Sequence, residues 1–401
     1  MHARLGLTWQ VSDLSGWGVF GWNLVSELLA RGRPRPLLLV APDASPGNER
    51  FAQVLAPLAA EQARLAAMTA GRKGAAVLPD TLLLHHLGNA LRLSPVSRRF
   101  QGAANAGVVF FESTRLGPAA LRQARRFDRI VAGSSWNGEV LRSHGLEKVE
   151  VVLQGIDPAL FRPTARPEPM FPGRFVVFSG GKLEFRKGQD IVLAAFRAFR
   201  QRHPEALLIA LWHNLWPQSS DSLKLSPHVD GPPEVGPDGR QRIAAWAAAH
   251  GLDQDAFRDL GLVSNAGLAA ILHQADAAVF PNRCEGGTNL VAMECLACGI
   301  PTVLSANTGH LDLIAGGDIC YPLIHQGPVA GFRGNTEGWG ETSVDDLVDA
   351  LEQIHGDRGK AAAKAARGAD FMTGLSWRRQ IDALLAALGE TEPGGGPARQ
   401  R

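Results

Sequence analysis

Two carboxylates, Glu285 and Glu294, and two ammonium groups, Lys182 and Lys187, form the pattern in this chain best suited to chemistry. The glutamates lie within residues 281–301, around the start of a helical stretch that follows an apolar run, 277–280, short enough for a buried strand. Gly286 and Gly287 supply a loop whose backbone can approach a ligand closely. Thr288 or Asn289 suits the helix N-cap, Gly299 the position just past its end, and Pro301 stops continuation. The free amides and positive dipole end of such a helix favour an anion such as a diphosphate. The two lysines sit in a glycine-containing loop, 180–190, after the apolar run 175–178. From a strand's end they can reach one diphosphate and neutralise the charge that builds on it as a leaving group. A solvated loop is the blander alternative.

Other residues invite weaker readings. Gly16, Gly18 and Gly21 match Gly-x-Gly-x-x-Gly ahead of a helical stretch at 22–30, but no strong strand precedes them and no ribose-binding acid follows at the usual distance. His85 and His86 follow the run 82–84, where an imidazole can contact a sugar or move a proton; ordinary loop histidines explain them equally well. Glu112 is the better-placed polar group on the acceptor side. Of Trp212, His213 and Asn214, the tryptophan reads first as packing. Asp253 and Asp255 have the Asp-x-Asp spacing of a metal site but fall at a helix start, where carboxylates suit the dipole anyway, so no metal is expected. Glu285 and Glu294 do not suit glycoside hydrolysis: nine helical steps span about 13 Å, beyond the separation that either stereochemical route uses.

The elements that must position these groups are legible as apolar runs at 37–40, 82–84, 108–111, 130–132 and 150–153, then 175–178, 207–211, 277–280 and 302–304, with helical patterns between them. Near-continuous Val, Leu and Ile runs predict parallel strands covered on both faces, hence two doubly wound α/β domains facing each other across a cleft. Four prolines in residues 161–172 mark the boundary. The expected organisation is an acceptor-side domain at 1–165, a ligand-binding domain at 173–375, a helix at 376–389 packing back at the junction, and a disordered tail at 390–401. The Ser, Pro and Gly-rich segment 221–239 reads as an excursion from the second domain.

Composition bounds the class. The 401 residues, 45% hydrophobic and 20% charged, suit a globular protein of two domains or more. No apolar run reaches membrane-spanning length and the N-terminus is too polar for a signal peptide, which predicts a cytoplasmic protein. Cys284, Cys295, Cys298 and Cys320 are too few for a disulfide framework, and Cys295 and Cys298 read as packing residues. Net charge is +2, yet residues 1–165 carry 19 Lys and Arg against 12 Asp and Glu. Such a half can rest on an anionic inner membrane face or meet an acidic acceptor, although a solvated helix face accounts for it too.

In order and spacing, Gly181-Lys182-Leu183 with Lys187-Gly188, Gln154-Gly155-Ile156-Asp157 with Phe161-Arg162-Pro163, and the 285–301 block resemble the motifs of retaining glycosyltransferases of family 4, which have the GT-B fold. The segments 112–116 and 128–135 resemble that family's N-terminal domain, so the likeness covers most of the chain. The resemblance implies transfer of a hexose from a nucleoside diphosphate sugar to a glycan, lipid-linked or other hydroxyl acceptor, in glycan biosynthesis. It implies retained configuration, no metal, no cofactor beyond the donor and no nucleic-acid partner. Carried over position by position, Lys182 and Lys187 bind the diphosphate, and the amides of Thr288, Asn289 and Leu290 complete its cradle. Glu294 takes the ribose hydroxyls and Glu285 the transferred sugar. Gly16, Gly18 and Gly181 border the donor; His85 stays, apart from the resemblance, a candidate for sugar contact or proton movement. A donor phosphate oxygen takes the acceptor proton, so no protein nucleophile is needed. The family has arginine where Lys182 stands, which removes the bidentate fork. It also has seven residues between the two glutamates where this chain has eight, which leaves the role of Glu285 open. A non-catalytic nucleotide-sugar-binding scaffold, or an epimerase of the same fold, is the alternative.

Overall fold

The computed structural model describes residues 4–45, 48–165, 168–329 and 336–390. The chain folds as two compact units, one comprising Met1–Phe111, Leu116–Gly155 and Trp377–Arg401, the other Glu112–Arg115 and Ile156–Ser376. The division falls between Gly155 and Ile156, ahead of the proline-rich segment, because Ile156 and Phe161 are buried in the second unit's core. The helix Trp377–Ala387 belongs to the first unit, with Trp377 stacked on Phe20 at 5.8 Å between ring centroids. Of the tail expected to lack order, Glu390 is described and buried beside Arg33; residues 391–401 lie outside the described residues.

The first unit holds six parallel strands, β1 Arg4–Leu7, β2 Leu37–Leu38, β3 Ala76–Leu87, β4 Phe100–Val109, β5 Arg129–Ala132 and β6 Val149–Val151, in the order β2-β1-β3-β4-β5-β6. Two expectations need correcting here. A strand, β1, does precede the glycines; it is short, alternating and glycine-interrupted, so its apolar signal is weak. The glycines themselves are not a loop, because the helix Gly16–Ala30 starts at the first of them. Its N-cap Ser15 accepts a hydrogen bond from the Gly18 amide, and a Cβ on Gly18 would lie 2.1 Å from Ser12 Oγ. The glycine is therefore accounted for by close packing of the helix against the turn after β1.

The second unit holds β7 Phe175–Gly180, β8 Ala206–Leu211, β9 Phe257–Asp259, β10 Ala277–Phe280, β11 Thr302–Ser305 and β12 Tyr321–Leu323, all parallel, in the order β12-β11-β10-β7-β8-β9. Side chains alternate between two buried layers: Phe175 and Val177 enter one apolar cluster, Val176 and Phe178 the other. This burial on both faces is why the runs read as continuous rather than alternating. The chain runs outward from β7 to β9, then returns to the other side of β7 with β10. The pair β7/β10 is thus the topological switch point, the place where open α/β sheets bind ligands. Residues 221–239 are tied in rather than projecting: Leu223 and Val229 enter the core, and Trp246 Nε1 donates to the Gly231 carbonyl at 2.9 Å. Among the described residues no helix is long and apolar enough to cross a membrane.

Candidate functional site

Both loops of the sequence pattern leave the switch point. After β7, Gly181 turns at φ +114 and a short 3-10 stretch, Phe185–Lys187, leads through Gly188 into the helix Gln189–Arg202. Two side chains fix this loop with three hydrogen bonds. Asn214 exchanges two hydrogen bonds with the Leu183 backbone, at 2.9 and 3.0 Å, and Gln189 Nε2 donates to the Lys182 carbonyl at 2.8 Å. Gly188 has φ +71, and a Cβ there would lie 2.1 Å from the Pro281 carbonyl oxygen, in the loop after β10. Gly188→Ala should therefore separate the two loops and lower the thermal midpoint, with a cost of about 2 kcal/mol or more in chemical unfolding.

The loop after β10 carries Glu285, which is 5% exposed. Lys187 Nζ and Asn282 Nδ2 both donate to its Oε1, and Arg186 Nη1 lies 3.5 Å from its Oε2. Burial alone would raise this carboxyl, but the Lys187 ammonium and Arg186 guanidinium outweigh it and hold the group at about 2. Lys187 is itself pushed down by burial, with Glu285 pulling it back up. Arg186, which the sequence pattern left without a role, also pairs with Glu184 at 2.7 Å and Glu112 at 3.4 Å. Lys182 is the more exposed lysine and reaches Glu184 Oε1 at 3.0 Å. Lys187 and Glu285 are therefore brought together, and Lys182 connects to them through Glu184 and then Arg186.

Beyond Glu285 the helix Leu290–Ala297 begins, with Asn289 at the N-cap position, one of the two the sequence offered. Neither expected cap works as one. Asn289 adopts φ 64 and turns its amide to His310 Nε2 at 3.1 Å, while Thr288 Oγ1 lies 2.9 Å from Met293 Sδ. With no side-chain cap, the helix keeps its first amides for another acceptor. The left-handed Asn289 ends the loop, and the helix starts directly after it. His310, buried, is pushed down to about 4 by desolvation and stays neutral, its Nδ1 directed at the Ser305 carbonyl 3.3 Å away. Thr308, another non-glycine with positive φ, accepts the Glu285 amide at 2.8 Å. Two such conformations beside one carboxylate mark a backbone held in place by its surroundings.

Glu294, in the second turn of that helix, is 3% exposed and receives a 2.5 Å hydrogen bond from Asn265 Nδ2. Burial raises its carboxyl to about 8, the asparagine offsetting only part of the effect. Arg283, between the two loops, was unassigned. It is fully buried, forked onto Asp190 by two 2.8 Å bonds, paired with Glu341 at 2.5 and 2.7 Å, and stacked 3.9 Å over Phe185. This guanidinium clamps the loop after β10 to the helix after β7. Arg283→Ala leaves Asp190 charged and buried, and is expected to cost about 3–5 kcal/mol in chemical denaturation.

A cavity of about 610 Å³ opens beside the carboxyl ends of β8 and β9, lined by His213, Asp259, Arg240, Arg242 and the 260–262 backbone. His213 Nε2 bonds Asp259 at 2.9 Å, whereas Trp212 is core, donating to Ser179 Oγ at 3.1 Å. No sequence signal marks this cavity as a whole, because its walls come from three separate segments.

The remaining sequence candidates fall elsewhere. His85 lies inside β3, not after it, with Nε2 2.9 Å from Asn105 Oδ1 and its ring against Phe127; it is His86 whose ring meets Trp17, at 4.2 Å. Gly16 is exposed at the first turn of its helix. The Asp255 carboxylate is taken by Arg174 at 2.9 Å and Arg200 at 2.5 Å, and Asp253 caps the following turn. All four cysteines are buried.

Comparison with known proteins agrees with this geometry. Residues 132–384 match the family described as family 4 glycosyltransferases in conflict systems. D-inositol 3-phosphate glycosyltransferase of Actinosynnema mirum is 28% identical over 275 residues, which are 66% of this chain and 57% of that protein. Glycogen synthase of Mycobacterium tuberculosis is 28% identical over 271 residues, 66% of this chain and 55% of that protein. The chain thus spans little more than half the length of the curated relatives it matches. Among solved structures, Anabaena HepE in complex with UDP and glucose superposes with TM-score 0.65 at 14% identity, over 97% of this chain and all of that one. Sucrose-phosphate synthase from Thermosynechococcus elongatus gives 0.63 at 17% identity, over 96% and 98%. The two Rossmann-like α/β domains are those of GT-B proteins.

Proposed function

Because this chain belongs to the family 4 glycosyltransferases of conflict systems, we propose that it transfers a hexose from a nucleoside diphosphate sugar to an acceptor hydroxyl, with retained anomeric configuration and no catalytic metal. The observation that carries this reading is the buried Lys187–Glu285 pair beside an uncapped helix end at the β7/β10 switch point. The Lys187 ammonium is turned to an anionic partner, the Glu285 carboxylate. A bound diphosphate would take over Lys187 and the helix amides and release Glu285 toward the sugar hydroxyls. As the glycosidic bond breaks, charge grows on the departing diphosphate, where Lys187, Lys182 and the fixed amide dipoles stabilise it without reorganisation. The acceptor proton passes to a phosphate oxygen on the same face, so no carboxylate need act as nucleophile. Glu294 would take the ribose hydroxyls, and the cavity beside β8 and β9 has room for the base.

The acceptor is a glycan, lipid-linked or other hydroxyl, and the basic first half gives a cytoplasmic enzyme the means to rest on an anionic membrane face. Incubation with UDP-, GDP- and ADP-sugars in EDTA tests the reaction. Release of nucleoside diphosphate from one of them, undiminished by the chelator, is expected. Activity abolished by EDTA would contradict metal independence, and tight nucleotide binding without release would point instead to a scaffold.

A further inference from the structure

At the amino-terminal edge of the second sheet, opposite the donor loops, three chain segments bring imidazoles and carboxylates together. His203 ends the helix Gln189–Arg202, Glu205 immediately precedes β8, and His355 lies in the last turn of the helix Val344–Gly356. Since β8 has six residues, this cluster stands about 20 Å from the carboxyl edge. His355 Nε2 is 3.0 Å from Glu205 Oε1, His203 Nδ1 is 3.8 Å from the same oxygen, and one ligand atom from each of the three residues lies within 4.8 Å of the others. Donor atoms around a tetrahedral zinc-sized ion, each at about 2.0–2.2 Å, are about 3.3 Å apart, so the observed spacings bracket that value.

The orientation of His203 is the second observation. Its Nε2 lies 2.8 Å from Glu352 Oε2, which leaves Nδ1 bare on the side facing Glu205. Glu352 is in turn paired with Arg202 at 3.0 Å. A carboxylate behind an imidazole is the arrangement that fixes tautomer and raises basicity in metal-binding histidines. The rings are also held by packing: His203 against Phe199 at 4.5 Å, His355 edge-on to Phe175 at 4.9 Å, and the two imidazoles 4.0 Å apart.

We propose that His203, His355 and Glu205 bind a divalent transition-metal ion of the zinc type, with Glu352 orienting His203 and one coordination position open to water. The ion would staple the C-terminal end of the helix Gln189–Arg202 to the helix Val344–Gly356. It takes no part in sugar transfer, since it lies on the opposite edge of the sheet.

The test uses the full chain without an affinity tag, stripped with EDTA, dialysed and titrated with ZnCl2 by calorimetry and by competition with a chromogenic zinc indicator. One equivalent should bind, and the thermal midpoint should rise by about 4 °C or more at saturation. Glu205→Gln and the double variant His203→Ala/His355→Ala should lose about 100-fold or more in affinity, and Glu352→Gln about 10-fold. Each variant is checked by circular dichroism and by nucleoside diphosphate binding, which reads the other edge of the domain. No zinc binding by the wild-type chain, or equal binding by folded variants, would overturn the site; neither result bears on the glycosyltransferase reading.

Discussion

Lys187→Ala is expected to lower donor turnover by about 10²- to 10³-fold, the usual loss when one preorganised charge facing a leaving group is removed. It should also destabilise the chain, because Lys187 is half of a buried ion pair. Glu285 would keep Asn282 and the more distant Arg186 but lose its main counter-charge. Removing one partner of such a pair costs about 3–5 kcal/mol where nothing replaces it, and somewhat less where a guanidinium remains. The double variant Lys187→Ala/Glu285→Gln separates the two effects. With no buried charge left to strand, it should recover most of the lost stability in urea unfolding. It should recover none of the lost turnover. Recovery of both would mean that Lys187 serves the fold alone.

Glu294→Gln should act in opposite directions on stability and on binding. The folded carboxyl titrates near 8, the unfolded one near the ordinary 4.5, so between these values the folded chain holds the extra proton. Stability is therefore highest below about pH 4.5 as far as this group is concerned, and falls as pH rises toward 8. At pH 7.5 the loss approaches about 4 kcal/mol as an upper bound. Glutamine carries no such penalty and keeps the Asn265 bond, so the variant should melt at a higher temperature near pH 7.5 and show a flatter dependence on pH. Nucleotide binding should weaken about tenfold or more, because ribose hydroxyls donate more strongly to a carboxylate than to an amide. Those hydroxyls favour the ionised form, so wild-type affinity should rise from pH 6 to 8 by more than that of the variant. Phosphate ionisation is common to both and cancels in the comparison.

The second unit was the more legible half of the chain. Runs of Val, Leu, Ile and Phe buried on both faces left little ambiguity, and β7, β8, β10 and β11 start or end within two residues of their apolar runs. What escaped were the short edge strands β9 and β12, three residues each, one charged at its centre and one carrying Pro322. Edge strands need bury only part of their surface, so they leave a weaker hydrophobic trace. In the first unit, Gly16, Gly18 and Gly21 looked like a ligand loop because glycine serves close backbone approach of any kind. The approach proved to be helix against turn. Of the candidate site, Glu285, Glu294, Lys182 and Lys187 stood out in the sequence because spacing relative to strand ends carries information, and the structure pairs Lys187 with Glu285. Arg283 and Arg186 did not stand out, since their roles depend on partners 93 and 99 residues away, Asp190 and Glu285. A buried arginine is indistinguishable from a surface one until its counter-charges converge.

The central claim is that a diphosphate is gripped by Lys187 and the amino end of the helix Leu290–Ala297. Calorimetric titration of the wild-type chain and of Lys187→Ala with the preferred nucleoside diphosphate, and with the corresponding nucleoside, tests it most directly. The diphosphate should bind the wild-type chain about 100-fold more tightly than the nucleoside, with the margin shrinking at high salt and collapsing in the variant. Equal affinity for nucleoside and diphosphate, or a margin untouched by removing Lys187, would contradict the account.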